Sequence, residues 1–152
     1  MKFNSAICTT KVQSERLLAL GLKKETADMV WLDYSLHPDV EDWRICADYE
    51  DWGTWQEGGI PAWSLHRLIE MIQEVCTQVI LISHRVDIRS NVKRIAYSFD
   101  VCDNLYDNII DCIEWLIKEG YFNKEYLVNQ AEIDEHCKGV LEYLDYIKGE
   151  EE

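Results

Sequence analysis

Leu65, Leu68, Ile69 and Ile72 recur at i, i+3, i+4 and i+7, the spacing of one buried helical face. Upstream of them, Gly58 and Gly59 free the backbone, Pro61 suits a first helical turn, and Ser64 is placed to cap orphan amides. The pattern predicts a helix that opens at Pro61, runs to about Val75 and is anchored by Trp63.

Nearer the start, Thr10-Lys11-Val12-Gln13 has the form of a capping box. The helix behind it carries Leu17, Leu18 and Leu20 and stops at Gly21. A second short helix is expected over Lys24 to Trp31, and His37-Pro38-Asp39 breaks regular structure. From Trp43 the period falls to two: Trp43, Ile45, Ala47 and Tyr49 alternate with polar residues, as in a strand with one wet face. Asp51 to Gly59 reads as loop.

Thr77 to Val86 is rich in β-branched residues and reads as a buried strand. Asp87 to Asn91 is short enough for a hairpin loop, and Lys93 to Val101 returns with Ile95, Tyr97, Phe99 and Val101 on one face. Asp103 or Asn104 then caps a helix holding Leu105, Ile109, Cys112, Ile113, Leu116 and Ile117, ended by Gly120. Asn123 caps a turn through Glu125 to Val128, and a last helix is expected from about Ala131 to Ile147. The expectation is an α+β fold: a small antiparallel sheet including a hairpin, packed against about four to five helices. Residues 1–152 read as a single domain with a frayed acidic tail at 149–152.

Composition narrows the function classes. With 47% hydrophobic and 29% charged residues the chain is globular in character rather than disordered. It contains no apolar run of about 18 residues, so no membrane-spanning helix is expected. Its first residues lack the apolar core of a signal peptide, which makes the cytoplasm the expected compartment. The six cysteines form no C-x-x-C pair and read as reduced thiols. The net charge of −14 is spread over both halves and repels phosphate backbones, which disfavours direct nucleic-acid binding.

Three groupings stand out as candidate contact sites, each with a plainer structural explanation. Five of the six tryptophans (Trp31, Trp43, Trp52, Trp55 and Trp63) fall within residues 31–63 among many acids. Aromatic clusters of this kind either fill cores or carry interfaces; alternation would bury Trp43, while Trp52 and Trp55 are better placed for an exposed contact. Asp103, Asp107, Asp111 and Glu114 form an acidic stripe at i, i+4, i+8 and i+11. Such a stripe can hold a hard cation, present phosphate-like charge, or simply face water. Arg85, Arg89, Lys93 and Arg94 gather at the expected hairpin tip, either to meet an acidic partner or to balance the protein's own surface and protect a sheet edge.

No catalytic motif appears. His37, His66, His84 and His136 have no neighbouring nucleophile in a recognisable arrangement, and neither His136-Cys137 nor His84-x-x-Asp87 supplies a zinc site. No cofactor is indicated.

Three segments together resemble a known family: FNSAICTTKVQSERLLALGLKKETADMVW (Phe3 to Trp31), IPAWSLHRLIEMI (Ile60 to Ile72) and YDNIIDCIEWLIKEGY (Tyr106 to Tyr121). They are similar to small uncharacterised proteins of phages, prophages and mobile elements of gut bacteria. The resemblance implies no activity, cofactor or site residue. It implies that residues 32–59 are the variable part of a fixed scaffold.

The leading expectation is a non-enzymatic accessory protein that binds another macromolecule, a protein partner above all, through the acidic, Trp-rich segment 43–63, extended by the acidic stripe. Two alternatives stand beside it: a small metal-dependent hydrolase or other enzyme whose site between the sheet and the Pro61 helix is supplied by His66, His84 and nearby acids, and a polyanion mimic of nucleic acid. Homo-oligomer formation is open.

Overall fold

The computed structural model describes residues 6–46 and 58–128. Along the chain run α1 (Lys11–Ala19), β1 (Met29–Asp33), β2 (Trp43–Cys46), β3 (Ile60–Ala62), α2 (Leu65–Gln73), β4 (Gln78–Ile82), β5 (Arg85–Ser90), β6 (Ile95–Phe99) and α3 (Leu105–Lys118). Single 3-10 turns lie at Lys24–Thr26 and Lys124–Tyr126.

Local signals account for the helix ends. The Thr10 hydroxyl accepts from the Gln13 amide while the Gln13 side chain accepts from the Thr10 amide, the reciprocal box that starts α1. At its other end Gly21 takes φ 102°, Leu22 N–H donates to the Leu17 carbonyl, and Gly21 N–H donates to that of Leu18. This is a Schellman turn, and α3 ends in the same way at Gly120, φ 75°. Asn104 caps α3, accepting from the amides of Tyr106 and Asp107. Asn123 caps the turn that follows.

The strands assemble into two three-stranded antiparallel sheets, ordered β2-β1-β3 and β4-β5-β6, where a single sheet was expected. Three differences from the sequence reading produce this arrangement. The expected helix over Lys24 to Trp31 shrinks to a 3-10 turn, and Met29-Val30-Trp31 becomes the start of β1. Its apolar residues fit either period, and pairing with β2 and β3 decides for the strand.

The second difference lies at Pro61, which sits in β3 opposite Val30 rather than in a first helical turn. An edge strand accommodates its missing N–H. The helix starts after Ser64, whose Oγ accepts from the Arg67 amide at 3.2 Å, and α2 ends at Gln73.

The third is at the hairpin. Residues 87–91 do not form its loop: Ser83-His84 closes β4 onto β5, and Asn91 to Arg94 closes β5 onto β6. Ser83 takes φ 55° at the first of its two loop positions, the II′ pattern that suits strand twist. Along β5, Val86, Ile88 and Ser90 are buried while Arg85, Asp87 and Arg89 face the other way.

The described residues thus hold three α-helices, fewer than the four to five expected, and the segment of the expected last helix lies outside them. An α+β mix is retained. α3 packs on β5 and β6, α2 on β4, and α1 on β3 and α3. Between them Leu17, Trp63, Leu68, Met71, Ile72, Ile88, Ile109, Ile110, Ile113 and Leu116 are fully buried in one core. Each such aliphatic side chain contributes about 1.5–3 kcal/mol of burial.

Trp63 joins the halves of that core. Its amide donates to the Thr9 hydroxyl (3.0 Å), its carbonyl accepts from the Thr9 amide (2.9 Å), and its indole Nε1 donates to the Thr26 hydroxyl (2.9 Å). Asp28 accepts from both the amide and the hydroxyl of Ser64, fixing the start of α2 against the strand before it. Buried polar atoms at this junction are therefore paired. No helix among the described residues is long and apolar enough to cross a membrane.

Candidate functional site: the β1–β2 hairpin and its surroundings

The connection from β1 to β2, residues 34–42, is held by its own polar groups. Asp33 Oδ1 accepts from the amides of Ser35 (2.9 Å) and Asp42 (3.0 Å). Tyr34 N–H donates to the Asp42 carbonyl, the Ser35 hydroxyl donates to the His37 carbonyl, and the His37 amide donates back to that hydroxyl. Asp42 in turn pairs with Arg44 at 2.8 Å, and the Arg44 guanidinium lies over the Tyr34 ring. The amides of Asp42 and then Ser35 hold the Asp33 carboxyl below its ordinary pKa.

This ordered loop presents apolar side chains to water. Leu36 is 96% exposed, Val40 56% and Tyr34 49%. Asp39, Glu41 and Asp42 stand among them. Sequence reading saw only the break at Pro38 here, because exposure of Leu36 depends on how the loop is clamped and not on any local motif.

The tryptophans divide. Trp63 is core. Trp31 is half-buried, its Nε1 donating to the Thr9 carbonyl at 2.9 Å. Trp43 is half-buried opposite Asp33, with Lys11 Nζ 4.5 Å above its ring. Its Nε1 is buried without a hydrogen-bond partner among the described residues. Trp52 and Trp55 lie outside the described residues.

The acidic stripe faces α1. Asp107 accepts from Gln13 Nε2 (2.9 Å), and Arg16 Nη2 pairs with both Asp111 and Glu114, the latter at 3.0 Å. Glu114 also meets Lys118 Nζ at 3.2 Å; Lys118 and then Arg16 pull its pKa down. Asp103 is exposed, just before the Asn104 cap of α3. Arg16 was absent from the sequence candidates, since only the packing of α1 on α3 reveals it.

The basic residues do not share one tip. Arg85 follows the β4–β5 turn and pairs with Asp87, Nη2 to Oδ2 at 3.2 Å. Arg89 lies at the far end of β5, exposed, and Lys93 and Arg94 sit in the β5–β6 loop. The histidines are also apart from the expected interior site. His66 is on the exposed side of α2, paired with Glu70 at 2.9 Å, and His84 occupies the β4–β5 turn. Among the described residues no three of His, Cys, Asp and Glu come together to hold a metal ion.

One further polar residue organises this region without having been foreseen. Asn108 is fully buried on α3, donates to the carbonyls of His84 (2.6 Å) and Cys102 (2.9 Å), and accepts from the Cys102 amide (3.0 Å). Buried thiols complete the picture: Cys8 is pushed up to about 11 by burial and then by the charge of Asp28, and burial raises Cys112. Compared with protein-family models, curated proteins and solved structures, the chain matches none of them.

Proposed function

We propose that this chain is a non-enzymatic accessory protein of the cytoplasm, of the phage and mobile-element kind its sequence resembles, and that it binds a positively charged protein partner. The contact surface is acidic and aromatic: the β1–β2 loop with Leu36, Val40 and Tyr34, continued by Trp43 and, by sequence alone, by Trp52 and Trp55.

The observation that carries this reading is the exposure of Leu36 on a loop whose backbone is already fixed. Apolar side chains held in place lose little conformational entropy on binding, which is what makes an anchor effective. Four acids between Asp33 and Asp42 would steer a basic partner and set its orientation. Leu36→Asp with Val40→Asp removes the apolar anchor while leaving every clamp bond in place. The expected outcome in affinity capture from the native host is loss of the one partner that wild-type protein retains in quantity. Trp52→Ala with Trp55→Ala should lose the same partner. Retention by both folded double variants refutes the proposal.

A further inference from the structure

Tyr34, Asp42, Arg44 and Cys46 share one face of the β1–β2 hairpin. Leu32 stands opposite Arg44 and Val30 opposite Cys46, and the Tyr34 amide donates to the Asp42 carbonyl, so these alternate side chains point the same way. On that face the Arg44 guanidinium meets the Asp42 carboxylate twice: Nη2 donates to Oδ2 at 2.8 Å and Nε donates to Oδ1 at 3.3 Å. Its central carbon lies 5.2 Å from the centroid of the Tyr34 ring. Two N–H donors against one carboxylate, with an aromatic ring beside them, select the planar fork of arginine over the compact ammonium of lysine.

Ring and carboxylate are held without help from Arg44. The Tyr34 hydroxyl lies 3.1 Å from the Cys46 sulfur, which fixes the ring. The Asp42 amide donates to Asp33 and its carbonyl accepts from Tyr34, which fixes the backbone beneath the carboxylate. Arg44 is a looser occupant. Its side chain is 63% exposed and that of Asp42 43%, and ion pairs so exposed are weak and screened by salt. A guanidinium arriving from outside meets the same two groups, drawn in by Asp33, Asp39 and Glu41 nearby in the chain and by the net charge of −14.

We infer that Tyr34 and Asp42 form a binding site for an arginine side chain of the partner, and that Arg44 fills this site in the free protein as a built-in competitor. The inference rests on the β1–β2 loop being the contact surface and names the partner's chemistry there: an arginine beside apolar groups that meet Leu36 and Val40. The resident guanidinium lowers the affinity for an incoming one in proportion to the fraction of time it occupies the site.

NMR titration of the full chain with N-acetylarginine amide, at low salt under reducing conditions, is the test, followed at the Tyr34 ring and the Asp42 amide. Arg44→Ala should bind this probe at least about threefold more tightly than the wild type. N-acetyllysine amide should gain less. Adding Asp42→Asn to Arg44→Ala should abolish the gain, because it removes the carboxylate and keeps the backbone bonds of residue 42. Should Arg44→Ala disturb β2, Arg44→Gln vacates the fork while keeping a long polar side chain. In affinity capture, Arg44→Ala should retain more of the partner than the wild type does. Folded Arg44 variants that bind the arginine amide no more tightly than the wild type overturn the inference, as does an equal gain for the lysine amide or an equal gain with Asp42→Asn present. Loss of the partner by folded Arg44→Ala overturns it too, since Arg44 is then a contact and not a competitor, and leaves the loop reading intact. Retention of the partner by Leu36→Asp with Val40→Asp refutes the loop reading instead, and the two failures are distinct because the arginine amide needs no partner.

Discussion

Asp33 accepts a hydrogen bond from the backbone amide of Asp42, nine residues along the chain, and so closes the β1–β2 loop with a carboxylate at its base. The same oxygen accepts from the Ser35 amide, so one side chain fixes both ends of the segment that presents Leu36. Because these bonds favour the charged form, the Asp33 carboxyl is held below its ordinary range. The clamp is therefore fully present above the unfolded pKa of aspartate and lost as pH falls through the lowered folded value. An NMR titration should show the Ser35 and Asp42 amide signals moving together, with a midpoint below that of an unperturbed aspartate. Asp33→Asn should abolish that transition; independent or unshifted midpoints would contradict the clamp.

Asn108 is the polar residue whose loss should be felt most. It is fully buried and bonds the β4–β5 turn to the segment before α3. Asn108→Leu leaves the amide of Cys102 and the carbonyls of His84 and Cys102 without that partner, at about 1–3 kcal/mol. Chemical denaturation checks this through a lower midpoint with unchanged slope. Asn108→Asp should destabilise as well, because a carboxylate cannot donate to two carbonyls.

Trp63 makes a sharper pair of variants. Trp63→Ala opens a core cavity and should cost about 3–5 kcal/mol. Trp63→Phe retains most of the buried ring but deprives the Thr26 hydroxyl of its indole donor, and should cost less. Equal losses for the two would mean that packing is not what holds this residue.

Between α1 and α3 the effect should be small. Arg16, Asp111 and Glu114 are each about a third exposed, so Arg16→Ala should cost about 1 kcal/mol or less, and less in high salt. Glu114 has a lowered pKa, so its share is present at neutral pH and lost as pH falls through that value. Thermal denaturation with and without salt reads the first effect, and the same measurement over a falling pH series reads the second.

Cys8, Cys76 and Cys112 are buried, and burial raises all three thiols. Native protein exposed to iodoacetamide at neutral pH should leave them unlabelled, whereas unfolded protein should label them all. Rapid native labelling of Cys112 would place it outside the core.

What the sequence revealed was what short-range chemistry determines. The Thr10 box, the stops at Gly21 and Gly120, and the caps Ser64 and Asn123 each depend on residues within a few positions, and each is found where the pattern put it; of Asp103 and Asn104, the structure selects Asn104 as the cap of α3. The rest depends on distant partners. Met29-Val30-Trp31 fits a helix until β2 and β3 flank it, and the β5 alternation was hidden because Thr77 to Val86 read as one apolar run. Arg16 and Asn108 act across 95 and 24 residues of chain, beyond any local signal. Of the candidate contact residues, Trp43 and Arg89 are placed at the surface or half-buried, Asp107, Asp111 and Arg85 bond to neighbours within the protein, and the loop carrying Leu36 was not anticipated.

The clamped loop that carries Leu36 and Val40 at its surface is the proposed binding element. Its most direct test is the affinity of the purified partner for wild-type protein and for Leu36→Asp with Val40→Asp, alongside circular dichroism and thermal denaturation of both. The expected result is an unchanged fold and binding weakened at least about tenfold, the equivalent of about 1.4 kcal/mol. Equal affinity for the two folded proteins would contradict it.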